Sequence, residues 1–593
     1  MGKQLFKNIP SKVGDLVNEV RNGKIGLPDL QRPFVWKDNK VRDLFDSMLK
    51  GYPIGYVMLW ESPSDYETKK TTIGDNKKIY EEPKELVIDG QQRLTALIAA
   101  MYGVKIKDKN FAEREIKICF NPLTKEFSVW TSAFDRDAEW ISKISEVFLA
   151  HENHTMISYR RNFIKELNES RTKKGLEALS DDEEIVIEEN LNELLSLTDY
   201  SLPTLEINYN ADEEDVADIF VRVNSGGQKL TENNFIQTLI SVYENETSDR
   251  INDFCEKSRI PADKTSYNPI LAVEPSHLIR MAVGVGFRRA RLRYAYMLLR
   301  GKNLETGKFS EEERTKNLNT FKDALDKVMD LNNWHSFINI VAEAGYISDK
   351  LIASSNAVVF SYVLYLVAKY DYNLSAMQLK KVISKWFFMS TITYFYTGST
   401  ETEVEKQFAD LRSVNTSDEF IEYIDNVIRT HFTEDYFNLT LPNELNTAAS
   451  ISPSWNGYIA AQIVLNIPML FSNTPVSKYF VVGSSGTKAA IDKHHIFPKN
   501  YLKNIGYDND RDRNQLANFT YLDYATNIDI SDKNPVDYVG EFRKSLGEET
   551  YIKSCQDHAL PENFENMDYP EFLKQRRILM SNIIKKAYEK LCK

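Results

Sequence analysis

The sequence predicts a multidomain α+β protein, and three observations support this fold class. Residues 86–88 form an apolar strand that runs into an Asp-Gly turn and directly onto a helix. From residue 231 to about 475 the apolar positions recur with mainly helical spacing, and turn signals are sparse. Near the C-terminus, residues 478–483 alternate weakly in polarity, which predicts a strand. Further extended segments at 489–496 and 519–522 flank an irregular loop, and a short helical stretch follows. The length of 593 residues suggests about three or four domains.

The composition is that of a folded, acidic protein. Hydrophobic residues make up 42% of the chain and aromatic residues 12%, which is ample for sizeable cores. The formal net charge is −12, whereas a protein that grips nucleic acid along its whole length is usually basic. Any contact with DNA must therefore be made by local basic patches.

Cysteine spacing and hydropathy predict a cytoplasmic protein without a membrane segment. The four cysteines are scattered and form no Cys-x-x-Cys pair, which fits a reducing compartment. The first ten residues lack the apolar core of a signal peptide. Apolar runs such as residues 357–368 are shorter than the roughly 20 residues that span a bilayer.

The first 130 residues have an α/β pattern. Pro28 and Pro33 favour extended backbone before them. Residues 41–50 place their apolar side chains on one helical stripe, and residues 54–60 predict a buried strand. Residues 135–200 alternate in charge with a helical pattern, which predicts a solvated helical hairpin.

The Asp89-Gly90-Gln91-Gln92-Arg93 turn is a candidate phosphate site. A strand that opens through a turn onto a helix presents backbone amides and the positive end of the helix dipole, which favour an anion. Asp89 could hold a metal ion or a ribose hydroxyl, and Arg93 could neutralise a phosphate charge. From spacing alone, a plain strand-turn-helix connection with a solvated Arg93 remains open.

This turn, with Gln31-Arg32 upstream and the segment 220–230 downstream, resembles the N-terminal domain of GmrSD-type restriction enzymes. The resemblance implies a ParB/sulfiredoxin-like fold in which the DGQQR motif binds and hydrolyses a nucleoside triphosphate (NTP), here ATP, GTP or UTP. The residues that it assigns to nucleotide binding are Gln31, Arg32, Asp89, Gly90, Gln91, Gln92, Arg93 and Asn224.

A second candidate site lies at His494-His495-Ile496-Phe497-Pro498, with asparagines downstream. Histidine accepts a proton near neutral pH, which suits a general base that activates water. Histidine is scarce, at eight residues in the chain, so a chance pair before a turn is the weaker interpretation. Adjacent residues of a regular strand point to opposite faces, so both side chains reach one site only if the strand ends or bulges there.

The order of these elements resembles the ββα-metal unit of HNH (His-Me finger) nucleases. The resemblance implies that His495 is the general base, that His494 and Asn527 ligate Mg²⁺ or Mn²⁺, and that Asn518 braces the loop. The catalytic set is therefore His494, His495, Asn518 and Asn527. The separate roles of His494 and His495 stay open, as does the choice of metal.

The most basic stretch of the chain begins at Phe287 and ends near Lys302. Arginine binds phosphate well, and interleaved aromatic residues could stack on bases. A structural helix whose arginines pair with acidic neighbours is an equal alternative. The candidate DNA-binding residues are Arg288, Arg289, Arg291 and Arg293.

Together these features predict three domains: residues 1–235 for nucleotide binding, with the charged insertion at 135–200; residues 236–474 as a helical, DNA-contacting middle; and residues 475–593 as an HNH nuclease domain with C-terminal helices. This domain order resembles that of the restriction proteins BrxU and SspE.

The resemblance implies a nucleotide-regulated, metal-dependent endonuclease that cuts modified phage DNA, with glucosylated or hydroxymethylated cytosine as examples. An SspE-like nickase that works with DNA phosphorothioation and a nucleotide-dependent DNA-binding protein with an inactive HNH unit stay open. The expected partners are double-stranded DNA and an NTP, and a homodimer is left open.

Overall fold

The structure is a computed structural model, and it describes residues 5–26, 34–61, 84–108, 112–208, 211, 216, 219, 236–237, 240, 244–259, 261, 265–303, 306–308, 310–449, 451–480, 491–523, 526, 530 and 533–593. The chain divides into two compact units, Met1–Asn252 and Asp253–Lys593. The fold is mixed α and β and mostly helical, in agreement with the predicted α+β class.

The first unit is built on a five-stranded sheet in the order β1-β9-β3-β4-β2. The β1–β9 and β3–β4 pairs are antiparallel, while β9–β3 and β4–β2 are parallel. The sheet strands are β1 (Phe6–Lys12), β2 (Ile25–Gly26), β3 (Val57–Glu61), β4 (Glu85–Asp89) and β9 (Ser201–Ile207). Two short ribbons are added by β5 (Ile106–Lys107) with β6 (Glu113–Arg114) and by β7 (Ile118–Asn121) with β8 (Glu126–Val129).

Helices cover this sheet and extend from it. They are α1 (Val13–Arg21), α2 (Asp38–Leu49), α3 (Gln91–Tyr102), α4 (Ile144–Glu152), α5 (Met156–Lys173) and α6 (Asp181–Ser196), and α7 (Asn245–Lys257) follows. Every residue of α3 from Leu94 to Met101 is buried, because this helix packs against α1, α2 and α4. The predicted helix at 41–50 is confirmed as α2, and the charged stretch is confirmed as helices α4 to α6. Ser180 caps α6 and shares a reciprocal capping box with Glu183.

The second unit is a helical body. Its helices are α8 (Pro275–Phe287), α9 (Leu292–Leu299), α10 (Glu311–Met329), α11 (Leu331–Glu343), α12 (Ser355–Tyr370), α13 (Ala376–Ile392), α14 (Thr400–Leu411), α15 (Ser417–His431), α16 (Leu441–Glu444) and α17 (Pro453–Val464). The α12 helix is buried on all sides from Ala357 to Ala368, as expected of a central helix that is apolar all round. Among the described residues, no helix combines the length and apolarity needed to cross a bilayer.

The C-terminal part of this unit carries a two-stranded antiparallel ribbon among helices. The ribbon is β10 (Ile491–His495) with β11 (Phe519–Asp523). The helices are α18 (Lys499–Asn504), α19 (Asp510–Arg513), α20 (Pro535–Leu546), α21 (Glu548–Asp557) and α22 (Tyr569–Cys592). The predicted strands at both histidines and at 519–522 are therefore confirmed.

One predicted strand is wrong. Residues 478–483 were expected to be extended, but Val476–Phe480 is a 3₁₀ helix, and residues 481–483 lie outside the described residues. Two adjacent aromatic residues of this 3₁₀ helix pack on one ring of β11. Tyr479 and Phe480 both contact the ring of Tyr521, at centroid distances of 4.9 and 5.5 Å.

Candidate active site

The two histidines lie at the end of β10 and face opposite sides of the ribbon. His494 is paired with Thr520 and His495 with Phe519, and residues directly opposite each other share a face. The ring of His495 lies 4.4 Å from the ring of Phe519, between centroids. The strand ends at His495, so both histidines lie within its regular pairing, on opposite faces.

The imidazole of His495 is held by a side chain from the loop between the strands. Its Nε2 lies 2.9 Å from Oδ1 of Asn514. An amide oxygen accepts a hydrogen bond, so the imidazole donates through Nε2 in this arrangement. Nδ1 is then the nitrogen that carries the lone pair, as a general base requires.

Asn518 is completely buried, and its side chain connects the end of β10 to the inter-strand loop. Its Oδ1 accepts from the backbone N–H of Phe497 at 2.8 Å. Its Nδ2 donates to the carbonyl oxygens of Phe497 at 3.0 Å and of Arg513 at 3.2 Å. This geometry has the form of the bracing contact expected of Asn518.

Three side chains from the C-terminal helices bind backbone carbonyls around the ribbon. The hydroxyl of Tyr538 donates to Ile496 O at 2.8 Å, and the hydroxyl of Tyr569 donates to Asp512 O at 3.0 Å. The fully buried guanidinium of Arg576 donates from Nη1 to the carbonyls of Ala517 (2.7 Å) and Phe519 (2.8 Å). Burial lowers the pKa of Arg576, and nearby tyrosines oppose that effect. The sequence offered no signal for these contacts, because each joins residues far apart in the chain.

His558 is a further buried histidine that sequence patterns did not single out. Its Nε2 is 2.8 Å from the carbonyl of Pro468 and must donate to it, so Nδ1 accepts from Thr520 Oγ1 at 3.0 Å. Burial lowers the pKa of His558 to about 4. A neutral imidazole that is saturated with protein partners supports β11 and is unsuited to taking a proton from water.

The predicted metal ligands are only partly within the described residues. His494 is described, whereas Asn527 lies outside the described residues. In the described part of the chain, no group of three or more His, Cys, Asp or Glu side chains could hold an ion. Oxygen donors suit Mg²⁺ and Mn²⁺, whereas imidazole suits later transition metals such as Zn²⁺ and Ni²⁺. By donor type, the amide of Asn527 therefore fits the expected ions better than the imidazole of His494 does.

The Asp89–Arg93 turn is ordered around the Arg93 guanidinium. Gly90 caps α3 with a φ of 93°, a backbone conformation that glycine adopts readily. Nη1 of Arg93 donates to the carbonyl of Tyr56 at 2.6 Å. Burial lowers the pKa of Arg93, and the Asp89 carboxylate acts in the opposite direction. Arg93 is therefore a positioned, half-buried cation and differs from the solvated side chain of the alternative interpretation.

Gly55 and Tyr56 belong to this turn, and the sequence pattern missed both. The buried strand was predicted from residue 54, but β3 begins at Val57 because Gly55 has a φ of 94°. A Cβ at Gly55 would lie 2.8 Å from Nη2 of Arg93. The pKa of the Tyr56 hydroxyl is raised by burial, then by the charge of Asp89 and a hydrogen bond to it.

Another hydrogen bond connects the turn to Val35, which follows Arg32 by three residues in the sequence. The backbone N–H of Val35 donates to Oε1 of Gln92 at 2.9 Å. Gln31, Arg32 and Asn224 themselves lie outside the described residues. The nucleotide-binding role of the whole set remains a prediction.

The four candidate DNA-binding arginines have different surroundings. Arg288 pairs with Asp371, and Arg289 pairs with Glu405 at 3.2 Å. Nη2 of Arg291 donates to Thr402 Oγ1 at 3.3 Å, and Arg293 is exposed on α9. The stretch is not one helix, because Arg288 ends α8 in the left-handed conformation and α9 begins at Leu292.

The first unit also matches a known protein family. Residues 13–241 match the family described as GmrSD restriction endonuclease, N-terminal domain. This match supports a GmrSD-like restriction enzyme. The chain is also similar to the uncharacterized protein MJ0686 of Methanocaldococcus jannaschii, with 24% identity over 612 residues that cover 94% of this chain and 92% of the relative.

Proposed function

We propose that the protein is a nucleotide-regulated, metal-dependent DNA endonuclease that cuts modified phage DNA, with His495 as its general base. The observation that carries the proposal is the contact between His495 and Asn514 beside the buried Asn518. The family match over residues 13–241 supports DNA as the substrate.

The chemistry assigned to these residues is hydrolysis of a phosphodiester. Nδ1 of His495 takes a proton from water while the water oxygen attacks phosphorus. The bond from phosphorus to the leaving oxygen breaks, and that oxygen is protonated by solvent. Mg²⁺ or Mn²⁺, held by His494 and Asn527, would supply positive charge to the phosphate. Asn518 keeps the end of β10 and the Asn514 loop in register.

Nucleotide control is assigned to the turn at Asp89–Arg93. A charged guanidinium beside a helix start suits the phosphates of an NTP. Tyr56 and Asp89 are coupled to Arg93, so phosphate binding at Arg93 would be transmitted to the loop that precedes β3. A ligand shifts an equilibrium only through its differential affinity for the two states, so the nucleotide is expected to bind the cutting and resting states unequally.

Cleavage of a panel of DNAs tests the function. Supercoiled unmodified, phosphorothioated, hydroxymethylated and glucosylated DNA would be incubated with Mg²⁺ or Mn²⁺, with and without ATP, GTP or UTP. We expect the wild-type protein to cut DNA with modified cytosine and His495→Ala to lose about 10²-fold or more of the rate. His151→Ala, at an exposed position on α4, is the matched control and should cut normally.

Other results of the cleavage panel would favour one of the two alternative functions, a phosphorothioation-dependent nickase or a DNA-binding regulator. Nicking of unmodified DNA under the control of phosphorothioation would favour the SspE-like partner. Binding without cleavage under every metal and nucleotide condition would contradict the nuclease and favour a regulatory DNA-binding protein.

A further inference from the structure

We infer that Asn514 is a positioning residue that fixes the tautomer and the ring orientation of His495. The inference rests on the proposed function, because it assigns a role within the same site. His495 Nε2 and Asn514 Oδ1 are 2.9 Å apart. The assignment requires the Nε2–H tautomer, since an amide oxygen has no proton to give.

Asn514 is itself held on both sides. Its backbone N–H donates to the carbonyl of Asp510 at 2.9 Å, as the last turn of α19. The carbonyl of Arg513, the preceding residue, accepts from Asn518 Nδ2 at 3.2 Å and from the hydroxyl of Tyr569 at 3.3 Å. The buried side chains of Asn518 and Tyr569 thus fix the peptide next to Asn514. The side-chain amide of Asn514, held in this way, fixes the position of the imidazole through its hydrogen bond.

The neighbour of Asn514 reinforces the loop. Arg513 is buried, and its Nη2 donates to Asp508 O at 3.2 Å and to Asp510 Oδ1 at 2.7 Å. The ring of Phe519 also packs against the imidazole, at 4.4 Å between centroids. The imidazole of His495 is thus held by the Asn514 acceptor at Nε2 and by the packed ring of Phe519, and these two contacts favour one ring orientation. Nδ1 then stays the basic nitrogen without an equilibrium between tautomers.

Two substitutions separate hydrogen bonding from simple packing. Asn514→Leu keeps a similar volume and removes the acceptor, whereas Asn514→Asp keeps an acceptor for Nε2–H. Asn509→Leu is the matched control, since Asn509 Oδ1 caps the same short helix α19 by accepting from Arg511 N at 2.9 Å. If Asn514 mattered only for the loop, the control would lose as much activity as Asn514→Leu.

The tautomer is read directly in the full-length protein labelled with ¹⁵N-histidine. Two-bond ¹⁵N–¹H correlations distinguish Nε2–H from Nδ1–H imidazoles, and the His495 signal is assigned by its absence in His495→Ala. We expect the Nε2–H form in wild type and Asn514→Asp, and a mixture or the Nδ1–H form in Asn514→Leu. An Nδ1–H imidazole in the wild type would overturn the inference, because the Asn514 amide would then be donating. This readout needs no cleavage, so it stands apart from failure of the proposed function.

Cleavage kinetics supply the second readout. We expect Asn514→Leu to lower kcat at least about tenfold with little change in KM, and Asn514→Asp to retain most of kcat. Asn509→Leu should keep the wild-type kcat. Equal kcat in Asn514→Leu and wild type, under conditions where His495→Ala is inactive, would overturn the positioning role while leaving the nuclease assignment intact.

Discussion

Arg93 and Tyr56 are joined by a 2.6 Å hydrogen bond from the guanidinium Nη1 to the Tyr56 carbonyl. This bond connects the first turn of α3 to the loop before β3, so the position of the DGQQR turn depends on the Gly55–Tyr56 loop. The absence of a side chain at Gly55 leaves space for the Arg93 guanidinium, since any Cβ there would approach Nη2 to 2.8 Å.

Gly55→Ala should displace the Arg93 guanidinium. Both Gly55 and Gly51 have positive φ, at 94° and 70°, so alanine at either position should cost about 1–2 kcal/mol of folding free energy. A Cβ at Gly51 meets nothing within 4 Å, which makes Gly51→Ala the matched control. We expect only Gly55→Ala to weaken NTP binding, by about tenfold, which corresponds to loss of one charged contact. Calorimetric titration of both variants measures this, and equal NTP affinity in the two would contradict the arrangement.

Arg93→Ala should abolish nucleotide hydrolysis and the effect of nucleotide on cutting. The substitution removes a half-buried charge poised for phosphate, while the His495 site lies in the other unit of the chain. Cutting without nucleotide, under permissive metal conditions, should survive. The measurements are NTP binding by calorimetry and cleavage with and without nucleotide. A variant that binds NTP and responds to it like the wild type would exclude control through this turn.

Glu206 should make the first unit less stable as pH rises. It is 4% exposed, and its pKa is raised from 4.5 to about 7 by burial, then by a hydrogen bond with Glu61, despite the opposing contact with Lys7. A carboxyl group that binds its proton more tightly in the folded chain contributes stability that is complete below pH 4.5 and is lost as pH rises through 7.

Urea unfolding of wild type and Glu206→Gln between pH 4.5 and 8 measures this effect. The glutamine variant cannot lose a proton, so it should gain stability relative to wild type as pH rises. Glu169→Gln, on an exposed face of α5, is the control and should track the wild type. A constant difference between Glu206→Gln and wild type at every pH would contradict the raised pKa.

Local patterns predicted the elements that matter most to the two candidate sites. Helical periodicity located α2, and the apolar run before Asp89 located β4, because both depend on which side chains of one element face the core. The strands that carry His495 and Phe519 were predicted for the same reason.

The contacts that complete the sites were not predictable in this way. Asn514 meets His495 through an irregular loop, and Arg576 binds carbonyls of Ala517 and Phe519 from a distant helix. Periodicity reports exposure along one element and carries no information on which distant backbone a buried donor meets. Gly55 shows a related failure, since an apolar run does not reveal a positive φ that shortens a strand.

Arg288→Gln and Arg293→Gln should affect different properties, the first protein stability and the second DNA binding. Arg288 pairs with Asp371 and donates to Gly284 O at 3.1 Å, so its loss should lower stability and leave the salt dependence of DNA binding unchanged. Arg293 is exposed, so its loss should lower the slope of log affinity against log salt by about one without affecting stability. Fluorescence anisotropy with DNA across a salt series, beside thermal unfolding, tests both. An unchanged slope in Arg293→Gln would make this stretch purely structural.

Asn527→Ala and His495→Ala should differ in their response to metal. Loss of a neutral oxygen ligand weakens a metal site that can recruit water in its place, so excess Mn²⁺ or Mg²⁺ should partly restore cutting by Asn527→Ala. Loss of the base removes a proton-transfer step, so no metal concentration should restore His495→Ala. His494→Ala, which removes the described candidate ligand on the Thr520 face of the ribbon, should behave like Asn527→Ala.

Metal titrations of cleavage for the three variants and the wild type test these expectations. Identical metal dependence in wild type and Asn527→Ala would contradict its role as a ligand, and rescue of His495→Ala by metal would contradict its role as the base.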